Sequence, residues 1–148
     1  MGSDELVLEM TRVLPAPRPV VFAAFRDPER LAQWWGPEGF TVPSVDFSTI
    51  TGEAYRIEMQ PPEGEPFFLH GVFRTVHPPA RLSFTFIWEP SDPDDVETLV
   101  DLSFEERDQT TEVALWQGEF RNDARLALHR DGWGEAFEKL ERLLRTGT

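Results

Sequence analysis

A chain of 148 residues and 17.0 kDa has the length of one ordinary domain. Hydrophobic residues make up 40% of it and aromatics 12%, which is too apolar for a disordered segment. Its 27 acidic against 14 basic residues give a net charge of −13, which opposes binding to nucleic acid or to anionic membrane surfaces. Cysteine is absent, so disulfides, thiol catalysis, iron–sulfur clusters and cysteine-based zinc sites are excluded together. Glu5 and Glu9 interrupt the apolar stretch near the amino terminus, so no signal peptide is expected. No run approaches the ~20 apolar residues of a membrane span. A single cytoplasmic domain over 1–148, with its core at about 6–145, is the expectation. Lys139 is the only lysine, and no function attaches to it at this point.

Residues 5–14 alternate well enough for an opening strand, with Leu6, Leu8 and Met10 inward and Val13 joining them after a slip in the alternation. Pro15, Pro17 and Pro19 stop it. A short helix follows, with Val21, Phe22 and Phe25 at helical spacing. Asp27-Pro28-Glu29 then starts a second helix: Asp caps it, Pro suits its first turn, and Glu faces the positive end of its dipole. This helix is expected to run through Leu31 to Trp34-Trp35 and to end at Gly36-Pro37.

From about residue 40 the period becomes two. Six strands are expected, at roughly 40–48, 53–60, 67–76, 80–88, 97–106 and 111–119, separated by Pro- and Gly-bearing turns. Tyr55, Ile57 and Met59 share one face; Leu82, Phe84, Phe86 and Trp88 form a second row, and Val100, Leu102 and Phe104 a third. Short connections between such strands imply an antiparallel meander with one wet face. The last element is a helix capped by Asn122 or Asp123 and continuing to about residue 145, ~33 Å long. Its stripe is Leu126, Trp133, Phe137, Leu140 and Leu144, with Glu135, Lys139 and Arg142 opposite. Glu138 with Arg142 and Glu141 with Arg145 have the spacing of supporting ion pairs. The apolar stripe and the apolar sheet face cover one another best if the helix lies across the sheet.

This order of elements, strand, two short helices, six strands and a long terminal helix, is similar to the helix-grip fold of the START-related (SRPBCC) superfamily. Within it, the chain resembles the family of the activator of heat-shock-protein-90 ATPase. Five motifs in order carry the resemblance: Asp27-Pro28-Glu29 leading to Trp34-Trp35-Gly36-Pro37; Thr51-Gly52-Glu53-Ala54-Tyr55-Arg56; Gly71-Val72-Phe73; Pro78-Pro79-Ala80-Arg81-Leu82; and His129 with Gly132-Trp133. It spans about residues 6–145 and departs from the family's pattern at Thr51-Gly52, where paired glycines are usual. The resemblance implies an α+β helix-grip fold, a curved antiparallel sheet of about seven strands (β-α-α-β6-α) gripping the terminal helix around a cavity. Relatives with this fold include lipid and sterol carriers, hormone-binding proteins, polyketide aromatase/cyclases and chaperone regulators, so the fold does not fix an activity.

The residues themselves bear on the chemistry. Ser44, Ser48, Ser83, Ser91 and Ser103 all lack the flanking glycines of a nucleophile elbow, and no glycine cluster precedes a lysine. His70, His77 and His129 are not at metal-ligand spacing. The acidic stretch Asp92, Asp94, Asp95 lacks the Gly and Glu of a calcium loop and reads as a solvated turn. No catalytic residue, metal site or cofactor is therefore assigned.

His129 lies about 60° from the centre of the helix stripe, either facing a ligand or bonded to a backbone carbonyl. Of Trp34 and Trp35, one is expected in the core and one at the cavity mouth. The expected lining is Trp35, Tyr55, Ile57, Met59, Phe86, Trp88, Trp133 and Phe137, with Arg56, Glu58, His70 and His129 as candidate polar contacts, subject to strand register. The leading reading is a small ligand-binding module for an apolar or aromatic molecule. A cyclase- or hydrolase-like enzyme using the same pocket is one alternative. A chaperone-regulating interaction domain is the other, against which stands the match to the family's carboxy-terminal part alone.

Overall fold

In the computed structural model, residues 6–46, 50–91, 93 and 95–146 are described. The elements run β1 (Leu8–Leu14), α1 (Arg18–Arg26), α2 (Pro28–Leu31), β2 (Thr41–Asp46), β3 (Ala54–Gln60), β4 (Phe67–His77), β5 (Arg81–Glu89), β6 (Thr98–Arg107), β7 (Thr110–Gly118) and α3 (Asp123–Arg145). The strands form one seven-stranded antiparallel sheet in the order β1-β7-β6-β5-β4-β3-β2. Strands β2 to β7 are thus a simple meander, and β1 closes the far edge beside β7. With α3 gripped against the sheet and two short helices after β1, this is the α+β helix-grip fold.

The physical causes of the elements match their sequence signals. Asp27 caps α2 by accepting from the Glu29 N–H at 3.0 Å. Asn122, rather than Asp123, caps α3, accepting from the Arg125 N–H at 2.9 Å. Tyr55, Ile57 and Met59, Leu82, Phe84 and Phe86, and Val100, Leu102 and Phe104 all face the core. On α3, Leu126, Trp133, Phe137 and Leu140 are buried, and Leu144 packs half-buried at the end.

Three expectations change, and a fourth falls outside the described residues. Val13 is 56% exposed, and Leu14 is buried instead. The reason is register: β1 pairs with β7 without interruption from Leu8↔Gln117 to Leu14↔Thr111, so the alternation never slips. Helix α2 ends at Leu31, because the next bonds, such as Trp34 N–H to Leu31 at 3.2 Å, tighten into turns. The expected end of the second strand at 47–48 lies outside the described residues, as does Ser48. Arg142 bonds Glu38 directly at 2.7 Å, the expected Glu138 acting on it only through its charge, while Glu141 and Arg145 do pair, at 2.6 Å.

Among the described residues, no helix is long and apolar enough to cross a membrane.

Candidate functional site

The sheet and α3 do not meet evenly along their length. Toward the carboxy-terminal half of the helix the packing is closed: Phe137 and Leu140 have no exposed surface. Toward the amino-terminal half they separate and leave a cavity of about 410 Å³ that opens to solvent. The sheet contributes Met59 from β3, Phe67 from β4, and Phe86 and Trp88 from β5. Helix α3 contributes Arg125, Leu128, His129, Gly132, Trp133 and Ala136, and the mouth is completed by Trp35 to Pro37, Phe40, Pro90 and Asp95.

The aromatic rings of the wall meet edge to face. Trp35 meets Trp133 at 5.2 Å between centroids, and Phe86 meets Trp88 at 5.0 Å. Of the tandem tryptophans, Trp34 belongs to the core, fully buried with its indole N–H donating to the Ala24 carbonyl at 3.0 Å. Trp35 lines the cavity. Its segment is held in place from α3: Lys139 Nζ donates to the carbonyls of Trp35 and Pro37 at 3.3 and 3.1 Å. Glu135 accepts from the Glu38 N–H at 2.9 Å. The only lysine of the chain and Glu135, both on the helix's polar face, therefore clamp one lip of the cavity, and burial lowers the Lys139 pKa from its ordinary value. Gly36 has φ +88°, and a Cβ there would lie 2.9 Å from the Met59 methyl, so glycine makes this turn over the cavity possible.

The polar groups of the wall are bonded within the protein. Trp88 Nε1–H donates to His129 Nε2 at 3.1 Å, and His129 Nδ1 lies 2.9 Å from the Arg125 carbonyl. An indole nitrogen can only donate, so Nε2 is the acceptor and Nδ1 carries the proton. Burial lowers the His129 pKa below its ordinary 6.5, prevailing over the opposite pull of the Arg125 carbonyl and Asp95. Trp133 Nε1–H donates to Gln117 Oε1 at 2.8 Å, and Gln117 Nε2 donates to Thr98 Oγ1 at 2.9 Å, a fully buried pair of bonds joining α3 to β7 and β6. At the mouth, Arg125 Nη1 stands 3.5 Å from Asp95.

The expected site residues therefore separate into groups. Trp35, Met59, Phe86, Trp88, Trp133 and His129 come together around the cavity. Tyr55 and Ile57 face inward but border a different cleft of only about 20 Å³ beside Phe25 and Phe73, and the Tyr55 hydroxyl donates to the Thr85 carbonyl at 2.6 Å. Phe137 is closed in against Trp133 and lines neither space. Arg56, Glu58 and His70 lie on the outer sheet face, since they alternate with the inward residues of β3 and β4. Arg56 bonds Glu89 at 2.9 Å and stacks 3.7 Å above the Phe68 ring, His70 contacts the same Glu89 carboxylate, and Glu58 accepts from Ser44 at 3.0 Å.

Asp95 and Arg125 did not stand out in the sequence. The acidic stretch expected to be solvated places Asp92 and Asp94 outside the described residues. The Asp95 side chain, by contrast, is only 6% exposed because it turns onto Arg125. Arg125 sits one helical turn before His129, a spacing that places both on one face. Among the described residues, no cluster of three or more His, Asp or Glu could hold a metal ion.

Comparison with solved structures gives close likeness over nearly the whole chain. The AHSA1 protein of Silicibacter pomeroyi is 28% identical, with a TM-score of 0.84 over 96% of this chain and 99% of its own. A Rhodobacter sphaeroides protein is 25% identical, with a TM-score of 0.81 over 95% of this chain and 93% of its own. DynU16, from the dynemicin biosynthetic locus, shares the fold at 24% identity and a TM-score of 0.78, over 96% of this chain and 48% of its own. No curated protein matches the sequence significantly. The family described as activator of Hsp90 ATPase homolog 1-like protein matches residues 15–145. The chain belongs to that family, in the helix-grip fold.

Proposed function

We propose that this chain is a binding protein for an apolar or aromatic small molecule, held between the amino-terminal half of α3 and strands β3 to β5. The observation that carries this reading is the cavity of about 410 Å³, walled mostly by aromatic and aliphatic side chains and open at one end. That volume falls within the ~300–1,000 Å³ usual for small-molecule sites. Affinity arises mainly from burial of apolar ligand surface, at ~25 cal/mol per Å².

The arrangement of His129 favours binding over acid–base catalysis. A general acid or base must reach the substrate with a free proton or lone pair. Both ring nitrogens of His129 are engaged, one by Trp88 and one by the Arg125 carbonyl.

Filling the cavity tests the proposal without weakening the fold. A Cβ at Gly132 would meet only Pro37 Cγ, at an ordinary 3.9 Å. Gly132→Leu projects a branched side chain into the mouth and raises helix propensity by roughly 0.5–1 kcal/mol. With N-phenyl-1-naphthylamine as fluorescent probe, the wild type is expected to bind saturably. The variant should bind at least about ten-fold more weakly while unfolding at an equal or higher temperature. Equal binding by the two proteins would overturn the assignment of the site.

A further inference from the structure

Resting on that reading, we infer that the cavity selects uncharged ligands and rejects ionised ones of the same shape. The first reason is that its polar wall atoms have partners inside the protein: Trp88 with His129, His129 with the Arg125 carbonyl, and Trp133 with Gln117. An ionised ligand group reaching these atoms would have to break one of those bonds, and a buried charge without a partner is strongly unfavourable. The second reason is the charge of the wall itself. Among its described residues, the charged side chains are Asp95 and Arg125, and they face one another at 3.5 Å. An anion drawn to Arg125 meets Asp95, and a cation drawn to Asp95 meets Arg125. Neither sign of ligand finds a net opposite charge. His129 adds none, because its Nε2 already accepts a proton-bearing neighbour and protonation would set two donors against each other. The net charge of −13 further disfavours approach of an anion from solution.

Two dyes with one skeleton test this. N-phenyl-1-naphthylamine is neutral near pH 7, and 1-anilinonaphthalene-8-sulfonate is the same molecule carrying a sulfonate. The neutral dye is expected to bind the wild type at least about ten-fold more tightly. Because the two dyes also differ in hydrophobicity, Asp95→Asn isolates the charge. It removes one negative charge from beside Arg125 and should narrow the ratio between the dyes by several-fold, most of all at low salt. Equal or tighter binding of the sulfonate by the wild type would overturn selection against charge while leaving the ligand-binding reading in place. An unchanged ratio in a folded Asp95→Asn protein would overturn the role of the ion pair. Failure of both dyes to bind the wild type would overturn the ligand-binding reading itself, and this inference with it.

Discussion

The Trp88 indole N–H donates to His129 Nε2 at 3.1 Å, and this bond between β5 and α3 fixes where the imidazole proton sits. With Nε2 accepting, Nδ1 must donate to the Arg125 carbonyl one turn back along the helix. The neutral ring thereby ties the sheet to the helix at the cavity wall. Asp95 and Arg125 are the charged groups that act on it, and the Phe86, Trp88 and Phe120 rings surround it.

This arrangement predicts a pH dependence with a definite sign. The folded pKa of His129 lies below 6.5, so the unfolded chain takes up its proton first as the pH falls. The stabilising contribution is complete above the unfolded value and is lost as pH falls toward and through the folded value. Melting temperatures of the wild type and His129→Gln, taken from about pH 7.5 to about pH 5, check this. The wild type should lose more stability over that window than the variant. Parallel curves would contradict the assigned protonation state.

A second prediction concerns the sheet. A Cβ on Gly71 would lie 1.9 Å from the Thr85 carbonyl oxygen. That oxygen cannot retreat freely, since it accepts from the Tyr55 hydroxyl at 2.6 Å while Thr85 Oγ1 accepts from the Val72 N–H at 2.8 Å. Gly71→Ala should therefore cost more than about 2 kcal/mol in denaturant unfolding. A loss below about 0.5 kcal/mol, the ordinary range for surface changes, would show that the two strands do not approach so closely.

The opposite sign is expected at Gly134. A Cβ there meets nothing within 4 Å, and the residue lies in the interior of α3. Gly134→Ala should stabilise the protein by about 1 kcal/mol, raising its melting temperature by about 2–4 °C. A destabilised variant would mean that α3 needs the glycine for a contact or bend that the structure does not contain.

Much of the fold was legible because each of its elements buries only one side. Residues such as Tyr55, Ile57 and Met59, with Arg56 and Glu58 between them, can satisfy water and core only in one orientation. The α3 stripe from Leu126 to Leu140 is as explicit. The site was less legible, for three physical reasons. Whether an inward residue packs or lines a void depends on how far helix and sheet stand apart, so Phe137 and Met59 look alike in sequence although one is enclosed and the other borders the cavity. The Asp95–Arg125 pair joins residues thirty positions apart, and an acidic turn carries no sign of its distant partner. Lys139 lies on the polar face of α3 and gives no hint that it binds the Trp35 and Pro37 carbonyls. A cue was available for Arg125 alone, from its spacing to His129.

The ligand-binding reading is tested most directly by the indole N–H resonances of the tryptophans. Trp35, Trp88 and Trp133 line the cavity, whereas Trp116 lies beside Glu9 and Arg81 in a separate depression. In a ¹⁵N-resolved titration with N-phenyl-1-naphthylamine, the first three resonances should shift together and saturate at one concentration while that of Trp116 stays in place. Movement of Trp116 with the cavity three unmoved would place the ligand outside the cavity and contradict the account.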